Sequence, residues 1–118
     1  MILLPGGAGY IGSHTAVVLL NAGYEVLVLD NFSNSSPESL RRVEKITGKK
    51  CPYIQGDIRD KFLLDNIFQE YSIDAVLNFA GLKAVGESYQ KPLDYYHCNV
   101  YGATVLLQAL PWLPYPRF

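Results

Sequence analysis

Apolar residues gather in short runs separated by polar, turn-prone stretches, and the spacing inside each run predicts its type. Ile2–Leu4 is apolar throughout and meets Pro5-Gly6-Gly7, the pattern of a buried strand ending in a tight turn. From Tyr10 to Ala22 the apolar residues Ile11, Ala16, Val18, Leu19 and Leu20 fit one broad helical face, and Gly23 stands where a left-handed C-terminal cap is wanted. Glu25 to Asp30 is aliphatic and β-branched without alternation, as a parallel strand covered on both faces would be. A second helix runs to Thr47, opened by Ser35 in a capping box with Glu38, with Pro37 in its first turn and Gly48 beyond its end. Pro52–Gln55 reads as a third strand, the stretch carrying Phe62, Leu63, Ile67 and Phe68 as a helix, and Asp74–Phe79 as a fourth strand. A loop-rich stretch to Lys91 then leads into a helix from Pro92 past Asn99 and Val105 toward Ala109.

Strands alternating with helices over short connections imply a parallel sheet covered on both sides. Right-handed crossovers make this an α/β, Rossmann-like doubly wound fold, incomplete at about four strands with flanking helices. The expected unit is residues 1–110. Residues 111–118 form a separate tail whose Pro111, Pro114 and Pro116 can neither prolong a helix nor join a central strand.

Composition narrows the picture only by exclusion. At 118 residues, 18% charged and with net charge -1, the chain gives no electrostatic reason to expect nucleic acid or an anionic membrane. No apolar stretch suits a signal peptide or a membrane span, so a cytoplasmic location is expected. Cys51 and Cys98 lie far apart and outside any CxxC pattern, suggesting reduced thiols and neither a disulfide framework nor a zinc site. His14 and His97 lack metal-ligand or triad spacing and read as packing or surface residues, so no metal ligand is expected.

The candidate chemistry begins at Gly6-Gly7-Ala8-Gly9-Tyr10-Ile11-Gly12, where glycines at 6, 9 and 12 fall just after a strand and at the mouth of a helix. Such a turn lets the backbone approach a pyrophosphate, and the free N–H groups of the helix N-terminus meet its charge. The bland alternative is a glycine-rich turn with no ligand. Asp30 closes the second strand, where a carboxylate can accept hydrogen bonds from ribose hydroxyls and repel a 2′-phosphate, which favours NAD over NADP. A structural strand-capping aspartate is the competing reading. Asp57 and Ile58 follow the third strand and would sit near the adenine, while capping of the next helix explains Asp57 equally well. Lys83, Glu87 and Ser88 lie beyond the fourth strand on the same side.

Gly6 to Thr15, Asp30-Asn31, Gln90 to Tyr96 and above all Asn78-Phe79-Ala80-Gly81-Leu82-Lys83-Ala84-Val85-Gly86-Glu87-Ser88 resemble the UDP-galactose 4-epimerase family of extended short-chain dehydrogenase/reductases, across residues 2 to 109. The resemblance implies NAD as cofactor, held by Gly6, Gly9, Tyr10, Ile11, Gly12, Asp30, Asn31, Asn34, Ser35, Asp57, Ile58, Phe79, Ala80, Gly81, Lys83 and Asn99. It also implies a UDP-hexose substrate approached by Lys83 and Val85, and a possible homodimer. The implied activity is inversion at C4 of the hexose by hydride removal to NAD and return to the other face. The family's base is a tyrosine in a Tyr-x-x-x-Lys pair, and none of the nine tyrosines here has lysine four positions on, so no catalytic residue is assigned and the chain alone is expected to be inactive. A truncated or frameshifted product is the corresponding expectation, and a non-catalytic NAD or nucleotide-binding module the alternative. Pro5, where the family usually has threonine, removes a backbone donor beside the glycine turn and is expected to weaken the first strand.

Overall fold

A computed structural model describes residues 1–111; the tail from Trp112 lies outside the described residues. Four strands, β1 (Ile2–Pro5), β2 (Val26–Asp30), β3 (Tyr53–Gln55) and β4 (Ala75–Val76), form one parallel sheet in the order β3-β2-β1-β4. The helices are α1 (Tyr10–Asn21), α2 (Pro37–Thr47), α3 (Lys61–Glu70), α4 (Val85–Gln90), α5 (Pro92–Tyr96) and α6 (Gly102–Ala109), with a π-helical turn at His97–Tyr101 joining the last two. The expected α/β doubly wound sheet is therefore present. Among the described residues no helix is long and apolar enough to cross a membrane.

β2 lacks alternation because both its faces are buried. Leu27 and Leu29 pack with Leu3, Leu64, Ile67, Val76, Val105 and Leu106 on the side covered by α3 and α6. Val26 and Val28 pack with Leu4, Ala16, Leu20, Leu40 and Val43 on the side covered by α1 and α2. Successive side chains point to opposite faces of a strand, so two cores share one sheet.

Helix details differ from the pattern-based expectations. α1 buries Gly12, Ala16 and Leu20 and leaves Ile11 and Val18 exposed, a narrower stripe than the hydrophobic run suggested. α3 buries Leu64 and Ile67 and leaves Phe62 outside. Ser36, not Ser35, caps α2, its Oγ accepting from the Glu38 N–H at 3.2 Å. Ser35 instead turns to Asp30. The stretch read as loop to Lys91 contains α4.

β4 ends three residues before Phe79, and Pro5 supplies the reason. In this register Leu77 N–H donates to the Leu3 carbonyl (3.0 Å) and Phe79 N–H to the Pro5 carbonyl (2.7 Å). The bond between those two would run from the N–H of residue 5 to the Leu77 carbonyl, and proline has no N–H. The chain continues alongside β1 with that rung missing.

Candidate functional site

Strand order reverses at β1, with β2 on one side and β4 on the other, so the loops leaving their C-terminal ends diverge and open a crevice. It encloses about 420 Å³, within the range of small-molecule sites. Its walls are the β1 loop (Gly6, Gly9) with Tyr10 and Ile11 of α1, the end of β2 with Asp30 followed by Asn31, Ser33, Asn34 and Ser35, the β3 loop (Gly56 to Ile58) and the β4 loop (Phe79 to Ala84).

Backbone close approach fixes the β1 loop. Gly6 has φ 72° and a Cβ there would lie 2.5 Å from the Ala80 nitrogen, so the β1 and β4 loops touch main chain to main chain only because residue 6 is glycine. Gly12 lies inside the helix, where a Cβ would meet the Gly6 oxygen at 2.6 Å and the Gly7 Cα at 2.7 Å. Its role is to seat α1 against the turn, and it does not line the crevice. Gly9 caps α1 without a side-chain bond, and no acidic residue occupies the first turn. The N–H groups of Tyr10, Ile11 and Gly12 have no protein acceptor among the described residues. Three aligned donors at the positive end of a helix dipole suit an anion.

Asp30 is buried and multiply bonded. Its Oδ2 accepts from the Ala8 N–H at 3.0 Å, and its Oδ1 accepts from the Phe32 N–H and the Ser35 hydroxyl, both at 2.9 Å. The carboxylate thus pins the glycine turn and the 31–35 loop together while still lining the crevice. The structural reading of Asp30 is met by these three bonds, and the same carboxylate faces the crevice.

Asp57 does not cap α3, contrary to one of its two readings; Asp60 does, accepting from the Leu63 N–H at 3.0 Å. Asp57 instead accepts from its neighbours. Oδ1 receives the Arg59 N–H and Nε, and Oδ2 receives Arg59 Nη2 at 2.6 Å and Asn31 Nδ2 at 3.0 Å. The bond from the Arg59 side chain, opposed by partial burial and helped by the Arg59 backbone and Asn31, holds its carboxyl down at about 2. Arg59 Nη1 also lies 3.0 Å from His97 Nδ1.

Lys83 lines the crevice, its Nζ donating to the Phe79 carbonyl at 3.2 Å. Asn34, Ile58, Ala80 and Gly81 also line it. Val85 and Asn99 do not: Val85 begins α4 and is exposed, and Asn99 bonds to the Leu82 backbone. Leu29, Ser33, Gly56, Leu82, Ala84 and Cys98 line the crevice and were not foreseen. For Ser33 and Leu82 the signal was adjacency to predicted contacts in the same loops; for Cys98, brought in from the last helix, the sequence carries none. Cys51 is buried away from the site, and burial followed by the Glu44 charge pushes its thiol up to about 11.

Comparison with known proteins gives a consistent picture. A family model described as GDP-mannose 4,6 dehydratase matches residues 3–114. The UDP-glucose 4-epimerase of Haemophilus influenzae is 62% identical over 109 residues, covering 92% of this chain and 32% of that protein. Among solved structures, the UDP-glucose 4-epimerase of Bifidobacterium longum in complex with NAD+ and UDP superposes with a TM-score of 0.90 at 53% identity, over 92% of this chain and 32% of that one. The Stenotrophomonas maltophila UDP-glucose 4-epimerase with bound NAD and formylated UDP-arabinopyranose has a TM-score of 0.90 at 45% identity and the same coverage. The chain spans about a third of the length of the curated relatives it matches.

Proposed function

We propose that this chain, which belongs to the GDP-mannose 4,6 dehydratase family and is a homologue of the N-terminal part of UDP-glucose 4-epimerases, is the NAD-binding unit of a UDP-glucose/UDP-galactose 4-epimerase. The observation that carries the reading is the pairing of two unlike recognition elements in one crevice. The free donors of Tyr10 and Ile11 suit a diphosphate, and Asp30 at the end of β2 suits ribose hydroxyls.

The residues fit such a group on structural grounds. Gly6 and Gly9 present bare backbone to the crevice, and Asp30 has acceptor capacity beyond its three protein bonds, since a carboxylate offers about four lone-pair positions. A 2′-phosphate beside Asp30 would be repelled, which selects NAD over NADP. Asp57 and Ile58 bound the adenine end, and Lys83 supplies a cation toward the diphosphate at the β4 end. Bound NAD would supply a reversible hydride acceptor for the sugar C4. The chain's own part is to bind and orient. Its tyrosines lack the paired lysine, so the group that takes the C4 hydroxyl proton is not among these residues, and the chain alone binds without turnover.

Calorimetric titration of the 118-residue chain tests this. Saturable binding of NAD with weaker binding of NADP is the expected result. Equal affinity for the two, or no saturable binding of NAD, would refute the reading.

A further inference from the structure

Among the described residues Phe32 is the one non-glycine residue with a positive φ, at 55°. A bulky side chain is disfavoured in that conformation, so the surroundings must hold it there. What holds it is the ring. Half-buried, the ring packs against the core on the α1 and α2 side and meets the Tyr53 ring of β3 edge-on, with centroids 5.5 Å apart and planes at 89°. Phe32 is also the only apolar residue in Asn31-Phe32-Ser33-Asn34-Ser35. The four polar residues of that loop line the crevice and Phe32 does not.

The loop has few other ties. Among the described residues no backbone–backbone hydrogen bond involves residues 31–35, and the Ser33 N–H goes to the neighbouring Asn31 side chain. Apart from the Asn31 amide on Asp57, the polar connection to the sheet is Asp30 Oδ1, which accepts the Phe32 N–H and the Ser35 hydroxyl, both at 2.9 Å. The left-handed turn at residue 32 folds the chain back so that its N–H and the hydroxyl of Ser35 meet the same oxygen. Oδ2 takes the Ala8 N–H alone. A carboxylate oxygen has about two acceptor positions, so the open one is on Oδ2.

We propose that Phe32 is a positioning residue: its ring, seated between the core and Tyr53, holds the left-handed turn that loads Asp30 Oδ1 with protein donors and leaves Oδ2 to the ribose, without itself touching the dinucleotide. This rests on the NAD reading above. It gives the strained backbone a purpose. A residue 32 free to relax would withdraw its N–H and let the carboxylate turn, and the discrimination against a 2′-phosphate would go with it.

The test compares the 118-residue chain with Phe32→Gly and Phe32→Tyr. Glycine takes the left-handed conformation without strain, so any loss in Phe32→Gly reports the missing ring. In the ligand-free chain the protection of the residue 32 amide against hydrogen exchange should fall about tenfold, as for an N–H that loses its acceptor. The Leu77 amide, bonded to the Leu3 carbonyl, serves as the unchanged reference. Affinity for NAD should fall about tenfold while affinity for NADP changes little, so the preference for NAD shrinks. Phe32→Tyr keeps the ring and should retain both the wild-type protection and the wild-type preference. An unchanged preference in Phe32→Gly overturns the proposal even if both affinities fall, since equal losses mean general damage. Unchanged protection overturns it too, as does a Phe32→Tyr chain as impaired as Phe32→Gly. Should Phe32→Gly fail to fold, Tyr53→Ala leaves Phe32 against the core and removes the ring it meets; the preference should then fall about threefold, and a wild-type preference overturns the proposal. An unsubstituted chain that binds NAD and NADP alike overturns the dinucleotide reading and the positioning role with it, whereas a wild-type preference for NAD with an indifferent Phe32→Gly overturns the positioning role alone.

Discussion

Asp30 is the residue whose replacement separates folding from binding most cleanly. In Asp30→Ala the Ala8 N–H, buried with its residue at 3% exposure, loses its acceptor, a cost of about 1–3 kcal/mol for a donor left unsatisfied. The Phe32 N–H and the Ser35 hydroxyl, only partly buried, recover some of their loss from water, adding about 1 kcal/mol between them. The ligand-free chain should therefore be destabilised by about 2–4 kcal/mol. Asp30→Asn retains an oxygen for Phe32 and Ser35 but presents an amide donor to the Ala8 N–H, so about 1–3 kcal/mol is expected there. Urea unfolding without ligand measures this as a fall in midpoint at constant slope. The NAD affinity of whichever variant remains folded should then drop a further tenfold or more, from loss of a charged acceptor for the ribose. An Asp30→Ala chain with a wild-type urea midpoint would refute the structural half of the argument, since those three bonds would then contribute nothing. Wild-type NAD affinity in Asp30→Asn would refute the other half.

Gly6→Ala should cost about 3 kcal/mol in urea unfolding, combining a left-handed backbone penalty with a clash against Ala80 that no side-chain movement relieves. Gly23→Ala, at φ 89° with open space around it, should cost only the backbone part, about 1–2 kcal/mol. The carboxyl of Asp57 is held below its ordinary 3.8 at about 2, so its contribution to stability is complete above pH about 4 and disappears as pH falls toward 2. Asp57→Asn should flatten the stability profile across that window in acid-unfolding measurements, and an unchanged profile would count against the Arg59 pair as its cause. Leu93, Tyr96, Val100 and Tyr101 form an exposed apolar face on the last helix, and sedimentation should show concentration-dependent self-association that Tyr96→Glu suppresses. A monodisperse monomer at all concentrations would refute that.

The fold was legible where a single physical rule governs a stretch. The unbroken aliphatic run at β2 announced burial on both faces, and the glycines before α1 announced the turn. Legibility failed where two local solutions compete. Ser35 and Ser36 are equally good caps by type, and the choice between them is made by Asp30, which draws Ser35 away. Asp57 and Asp60 are both placed to cap α3, and Arg59 claims the first. The shortening of β4 was implicit in Pro5, but seeing it requires the register that turns the missing N–H of residue 5 toward the Leu77 carbonyl. The π turn leaves no mark in sequence, because helix-forming residues suit either register, and neither does the pairing of the Asn99 amide with the Leu82 backbone.

The pairing of β1 with β4 also sets an order of events. β1 meets β2 through Ile2 and Val26, and β2 meets β3 through Val28 and Tyr53, each closing a short stretch of chain. β1 meets β4 through Ile2 and Ala75, a stretch about three times longer, whose closure costs about 1 kcal/mol more in chain entropy. Two residue pairs, a ladder missing one rung and the burial of Val76 in the core with Leu3 reward that closure. Hydrogen exchange should therefore find the seam between the β1 and β4 loops opening before the rest of the sheet, and a ligand that bridges those loops would act on that seam.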